Sequence, residues 1–345
     1  MESLRSLQRA AFTDVLDYGI FLFKKHLKKL FIINLIFNIP VILLLTIFNP
    51  VFTEQYWNLL NPTDIVAANP NEIFSSMFTL YAMLFGSLAL QGLYTVTLKN
   101  VMEGSIVKIL YADTVLNQKK SIKQAVKECF SQFGTLLLGR MIYILIQGAV
   151  LAVLYIVLFI GVFSITFGIL GLAVTSFTVP WVTVILSVLG IIIVIGAVFF
   201  ISTIVGFYYG RYWMFLPAIC VEQQKAGSSI GRCGNLGKNN FYLIGLSFTF
   251  GNIIVWLFPF IISSVFSIAN LVSGSFDVEL FRISTVITQI FSEILRPLLT
   301  CILTALYITL RVKREGLDIE IDLWQIKREE LDRKKLKLQE AANAD

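Results

Sequence analysis

The sequence is short of the residues from which enzymes and metal sites are built. It holds one histidine, His26, so neither a histidine-based zinc motif nor paired-histidine phosphodiester chemistry has the side chains it needs. Its four cysteines (Cys129, Cys220, Cys233 and Cys301) show no Cys-x-x-Cys pairing, which argues against a disulfide scaffold or a zinc cluster. They are expected as reduced thiols near or below a cytoplasmic face. Charge is also scarce. Only 14% of the 345 residues are charged while 57% are hydrophobic, and the mean hydropathy is +0.78; soluble domains carry about 25% charged residues. Between Arg140 and Arg211 there is no charged residue of any kind. A spanning helix needs about 20 apolar residues, so this interval alone holds at least two spans.

What is present is an all-α, polytopic membrane pattern. Apolar runs predict six spans, at 30–48, 75–98, 136–162, 181–208, 242–266 and 286–310, followed by a tail at 311–345. Pro180-Trp181 is the natural turn between the third and fourth. Lys/Arg residues decide the sides. The N-terminal segment has six, including Lys24, Lys25, Lys28 and Lys29. The 49–74 and 163–180 loops have none, and the 267–285 loop has Arg282 alone. A seventh span would put lysine-rich segments outside, so the positive-inside rule selects six spans with both termini cytoplasmic. The N-terminal segment is too polar for a signal peptide, and the first span is expected to stay as an anchor.

Each odd-numbered span follows a polar, amphipathic stretch. Thr13 can cap the first, with Phe12, Val15, Leu16, Phe23, Leu27 and Leu30 at helical spacing. Ser121-x-x-Gln124 has capping-box spacing ahead of the second. The third, around 230–240, is glycine-rich and is expected as a flexible turn. Even-numbered spans end alike: LYTVTLKNVMEG (93–104) matches LYITLRVKREG (306–316) with one gap, and FYYGR (207–211) is a weaker relative. This suggests three diverged repeats.

Few residues could carry chemistry. Gly227, Gly231, Gly234 and Gly237 precede Lys238, but the spacing fails a phosphate loop and Asn239 follows the lysine. Glu293 and Arg296, three apart on the sixth span, share a face and are expected to pair. Pro297 follows and loosens the backbone. Gln289 lies one turn earlier, and Asn34, Asn38, Gln147 and Asn252 are candidate neighbours from other helices. A paired knot holding helices together is favoured over an ion or polar-substrate path, because the spans show no second acid and no Asp/Glu/His relay. In the tail, residues 317–323 alternate apolar and acidic, which is the strand period. Beyond them, Glu329/Arg333 and Glu330/Lys334 have helical spacing. The basic residues Arg311, Lys313 and Arg314 are expected to hold the sixth span at anionic headgroups, with Gly316 ending its helix. Glu315, Asp318, Glu320 and Asp322 are expected to dock on Lys99, Lys108, Arg211 or Arg232.

LYITLRVKREGLDIEIDLW (306–324) resembles the closing signature of the membrane domain associated with bacterial glycerophosphoryl diester phosphodiesterases. Tyr307, Arg311, Lys313, Arg314, Glu315, Gly316, Asp318 and Glu320 carry the likeness. In GRYWMFLPAICVEQQKAG (210–227), Arg211, Pro217 and Glu222 fit the same family, although Leu216 precedes the proline where a small residue is usual. Arg232-Cys233-Gly234 stands where the family has an Arg-Ser-Trp-like stretch. The resemblance implies a largely uncharacterised six-span domain in a bacterial cytoplasmic membrane. It brings no catalytic residue, cofactor or metal. The separate phosphodiesterase domain of some such proteins needs paired histidines in a soluble barrel, and this chain has neither. The reading is therefore a non-enzymatic accessory or anchoring protein that contacts anionic inner-leaflet lipid or another membrane protein, with no nucleic-acid partner. A small transporter or export/immunity component using Glu293 and Arg296 is the alternative, and a lipid-acting enzyme the third.

Overall fold

The computed structural model describes residues 6–60, 70–175, 180–272 and 278–323, and among them there is helix and turn but no strand. A 3-10 turn at Ser6–Arg9 leads into α1 (Phe12–Leu60). Then follow α2 (Pro70–Val96), α3 (Leu98–Thr114), α4 (Ile122–Ser131), α5 (Phe133–Thr175), α6 (Pro180–Trp213), α7 (Phe215–Cys220), α8 (Ala226–Leu236), α9 (Phe241–Val272) and α10 (Val278–Glu315). Five of the six apolar intervals fall inside one long helix each, while the 75–98 interval runs past the end of α2 at Val96 into the first residue of α3. Four described stretches, Phe74–Thr114, Phe133–Ile156, Phe241–Ala269 and Ile283–Glu315, are long and apolar enough to cross a membrane. Their outward faces suit lipid: Phe74, Phe78, Phe85, Trp256 and Phe260 are all exposed.

The helices pack where side chains are small. α10 lies between α9 and α1, and α9 also packs on α6. At Gly19 in α1 an added Cβ would stand 2.6 Å from the Ile302 Cα of α10, so only glycine permits that approach. Gly206 and Gly210, four apart on α6, meet Gly245 and Phe248 of α9; a Cβ on Gly206 would lie 2.7 Å from the Gly245 carbonyl oxygen. Small residues repeated every four positions let backbones close in this way, giving membrane helices van der Waals contact where no hydrophobic driving force exists. The centre of the basic end is α3, buried from Asn100 to Ala112 and packed against α4, α7, α10 and α1.

Several local expectations change. The first amphipathic stretch and the first span form one continuous helix of 49 residues. Its start is capped by Asp14, whose Oδ2 accepts from the Ala11 N–H at 2.7 Å, rather than by Thr13. Ser121 caps α4 as its spacing predicts, accepting from Gln124 N at 3.3 Å. The glycine-rich segment is not a loose turn but helix α8. Arg211 lies against its C-terminal end, at Gly234 and at the capping Gly237, where a Cβ would be 2.7 Å from the Arg211 Cγ. Residues 317–323 are helical, not a strand. Gly316, at φ 63°, ends α10 in the left-handed conformation. Its carbonyl then accepts from Ile319 and Glu320 at 2.9 and 3.1 Å. Leu317 and Asp318 are buried with Ile321 half-buried, a spacing that one helical face also satisfies. The charged segment 329–334 lies outside the described residues.

Candidate functional site

Two polar constellations stand out in this apolar chain. The first lies inside the bundle. Glu293 Oε1 pairs with Arg296 Nη1 at 2.8 Å, as their spacing predicts. Asn38 Nδ2 donates to Glu293 Oε2 at 2.7 Å and to Asn34 Oδ1 at 2.6 Å. The Tyr94 hydroxyl donates to Asn38 Oδ1. Asn34 Nδ2 donates to the main-chain oxygen of Glu293, and Pro297 explains that bond. A proline has no N–H, so the carbonyl four residues earlier loses its helical partner; the Asn34 amide replaces it. Asn252 is not part of this group, since its amide bonds to Phe248 O within α9 at 2.9 Å. Gln289 is half-buried on α10 and outside the hydrogen-bonded set.

A second buried acid, not anticipated, lies near this cluster. Glu103 of α3 is contacted by Lys99 at 3.8 Å and by Arg140 of α5 at 3.5 Å. The Arg140 guanidinium also lies 5.2 Å from the Tyr143 ring centroid. The signal for Glu103 was present in LYTVTLKNVMEG, whose Lys-x-x-x-Glu spacing parallels Arg311 and Glu315.

The second constellation joins the two sequence motifs. Glu222, just beyond α7, is gripped bidentately by Arg232 of α8: Nε at 2.9 Å to Oε2 and Nη2 at 3.2 Å to Oε1. The buried Tyr307 hydroxyl donates to Glu222 Oε1, and Arg311 Nε lies 3.5 Å from the same oxygen. Arg232 Nη2 also bonds Glu315 Oε2 at 2.7 Å, which Arg311 Nε reaches at 3.0 Å. Arg311 Nη1 donates to the Tyr111 hydroxyl at 2.8 Å, and its Nη2 is 3.7 Å from Glu320. Burial pushes the Glu222 carboxyl up, but hydrogen bonds from Arg232 and Tyr307 and the Arg311 and Arg232 charges outweigh it and hold the group below the usual carboxylate range. A carboxylate so tied is a poor base and a strong clasp.

The remaining motif residues clasp other segments. Arg211 Nη2 donates to Gly234 O at 2.7 Å, while its guanidinium lies 5.5 Å from the Phe207 ring centroid. Pro217 sits in the first turn of α7, where its missing N–H costs nothing. Lys313 donates to Ala10 O at 2.7 Å, Arg314 to Lys238 O, and Gln8 to the buried Asp318 at 2.9 Å. The expected headgroup anchors Arg311, Lys313 and Arg314 are thus engaged by protein. Of the cations expected to receive the tail acids, Arg232 does so; Lys99, Lys108 and Arg211 bond elsewhere.

Beside this knot is a cavity of about 710 Å³ lined by residues of α3, α4, α7, α10 and segment 317–321. Its wall includes Lys108, Tyr111, Glu222 and Arg311, but not Asn34, Asn38, Glu293 or Arg296. Among the described residues, no three His, Cys, Asp or Glu side chains group to hold a metal ion. No protein-family model, curated protein or solved structure matches the chain.

Proposed function

We propose that this chain is a six-span protein of a bacterial cytoplasmic membrane, with both termini inside, that performs no chemistry of its own. It acts as an accessory or anchoring component, meeting anionic lipid or another membrane protein through its basic face. One observation carries this reading: the polar groups around Glu293 are engaged with one another, although the Arg296 side chain keeps 35% exposure. Glu293, Arg296, Asn34, Asn38 and Tyr94 bond to one another and are absent from the wall of the cavity described above. A transport path would join such groups to an aqueous entrance. The knot around Glu222 supports the same view, because its acids and cations are spent on one another. The distribution of Lys and Arg supports the sidedness, and the closing motif's likeness to the phosphodiesterase-associated membrane domain supports the location.

Two experiments test this. Single cysteines at positions 55–70 should label from outside in intact cells, and those at 225–235 only after permeabilisation. In proteoliposomes, wild type and Glu293→Gln/Arg296→Met should pass protons and monovalent ions no faster than empty vesicles. A flux present in wild type and lost in the double variant would replace the anchoring reading with the transporter.

A further inference from the structure

The cavity at the basic end is built unevenly, and the unevenness points to a ligand. Its charged lining consists of Lys108, Lys120 and Arg311 facing Glu128, Glu222 and Glu320, which balance in number but not in bonding. Glu128 Oε2 is held by Lys120 at 2.6 Å, and Glu222 belongs to Arg232 and Tyr307. Glu320, 70% exposed, points largely to solvent. Arg311 has Tyr111 and Glu315. Lys108 is left short. Its side chain is only 7% exposed, and among the described residues its one ion pair is a 3.4 Å contact with the oxygen that Lys120 already holds more closely. An ammonium carries three donors, so one long, shared contact leaves it capacity for a further acceptor.

The backbone gives a second, independent sign. Three described non-glycine residues have positive φ, and two of them, Asn117 at 49° and Gln223 at 56°, line this cavity. Asn tolerates the left-handed region by local hydrogen bonding, whereas Gln has no such excuse. Each lies just beyond a helix end, where Gln118 N bonds Ala112 O at 2.8 Å and Gln224 N bonds Ala218 O at 3.3 Å. Glycine would serve both caps better. Keeping amide side chains there, at a conformational cost, sets hydrogen-bonding groups on the rim beside Lys108. Helix ends α3 and α7 bring negative partial charge to the same region. Their terminal carbonyls are already capped, however, so they weigh less than a buried ammonium whose carboxylate contact is long and shared with Lys120.

We propose that this cavity binds a small organic phosphate, its phosphoryl oxygens on Lys108 Nζ and the rim amides of Asn117 and Gln223. Lysine binds phosphate as a point charge, and a volume of about 710 Å³ exceeds one phosphoryl group, so the remainder of the ligand meets Val115, Val221 and Leu317. The site goes beyond the anchoring function and does not depend on it: a flux result that removed the anchoring reading would leave this cavity and its lysine as they are.

The test is phosphate-dependent thermal unfolding of the full chain in detergent, with phenyl phosphate and inorganic phosphate as probes at constant ionic strength. A second arm uses nanodiscs of phosphatidylglycerol or phosphatidylcholine. Wild type should show a saturable rise in Tm. Lys108→Met should weaken it by at least about tenfold, the effect of losing one charge-assisted hydrogen bond, and Lys24→Met should leave it unchanged. If Lys108→Met does not yield folded protein, Gln223→Gly decides: it should raise the unliganded Tm by relieving the backbone yet weaken phosphate binding. A Lys108-dependent response to the soluble probes identifies a soluble phosphate. Stabilisation by phosphatidylglycerol alone, lost in the variants, identifies a lipid headgroup at the same site. No saturable response, or one that both variants retain in full, overturns the proposal.

Discussion

Replacing Tyr307 by Phe removes one oxygen from the centre of the Glu222 knot and nothing else. Tyr307 is fully buried, its hydroxyl donates to Glu222, and the ring contacts survive the change. A hydrogen bond to a charged group contributes about 1.5–3 kcal/mol. Glu222 is only 12% exposed at its side chain, so little solvent screening reduces that figure. Arg232 and Arg311 remain on the carboxylate, so the loss should lie nearer 1.5 than 3, about a tenfold change in the folded-to-unfolded ratio. Unfolding in mixed micelles by SDS titration measures this directly. The companion Glu222→Gln should cost more, because Arg232 and Arg311 lose a buried counter-charge. The two together should cost less than their sum, since they remove one shared interaction. If Tyr307→Phe falls within about 0.5 kcal/mol of wild type, as an ordinary surface change would, or if the two changes add, the knot does not hold as described.

Acid should loosen the same region. Burial pushes the Glu222 and Glu128 carboxyls up, but hydrogen bonds from Arg232 and Lys120 outweigh it, and both are held below the usual carboxylate range. Their stabilisation is therefore complete above that range and disappears as pH falls through the lowered folded values; unfolding free energy measured from pH 6 downward should drop there, and Glu222→Gln should flatten the drop. Asn34→Leu should cost about 1–3 kcal/mol by stranding the Glu293 carbonyl, and Pro297→Ala should recover part of it by returning a main-chain donor; a double variant no more stable than Asn34→Leu would refute that role for Asn34. At the α6–α9 crossing, Gly206→Ala places a Cβ 2.5 Å from Thr249 Oγ1 and should cost about 1–3 kcal/mol. Gly86→Ala, with no atom within 4 Å of the added Cβ, should be neutral in the same unfolding assay.

The long helices were legible because hydropathy is a property of twenty-residue windows, and the Glu293–Arg296 pair because charges three apart on a helix must share a face. Asn34 and Asn38 could be proposed from depth alone. Other features depend on what the chain meets. The 317–323 segment alternates as a strand does, yet Leu317, Asp318 and Ile321 also satisfy one helical face, and the left-handed Gly316 decides between them. Gly234 and Gly237 look like flexibility until Arg211 is seen lying against them. Arg311 reads as a headgroup anchor because cations at span ends usually are; here Tyr111 and Glu315 take it first. Nothing local to 93–104 could reveal that Glu103 meets Arg140 from a different helix.

The matching strings at 93–104 and 306–316 show what a short repeated motif can and cannot specify. In both, a cation reaches the glutamate four residues on: Lys99 to Glu103 at 3.8 Å and Arg311 to Glu315 at 3.0 Å. In both, an arginine from another helix completes the group, Arg140 for Glu103 and Arg232 for Glu315. The i,i+4 contact follows from helix geometry alone and so travels with the string. The glycine that follows does not behave alike. Gly104 stays helical, where a Cβ would stand 2.8 Å from the Cys220 sulfur, and α3 runs on through the centre of the basic end. Gly316 turns left-handed and ends α10. The same residue type thus serves close packing in one string and chain reversal in the other. Which it does is set by the neighbours, since α3 is enclosed by α4, α7 and α10 while Arg314 and Glu315 at the end of α10 are exposed. The two strings thus share their ion pairs and differ at their glycine: the acid–cation contacts follow from the local spacing, and the chain path is set by what surrounds each string.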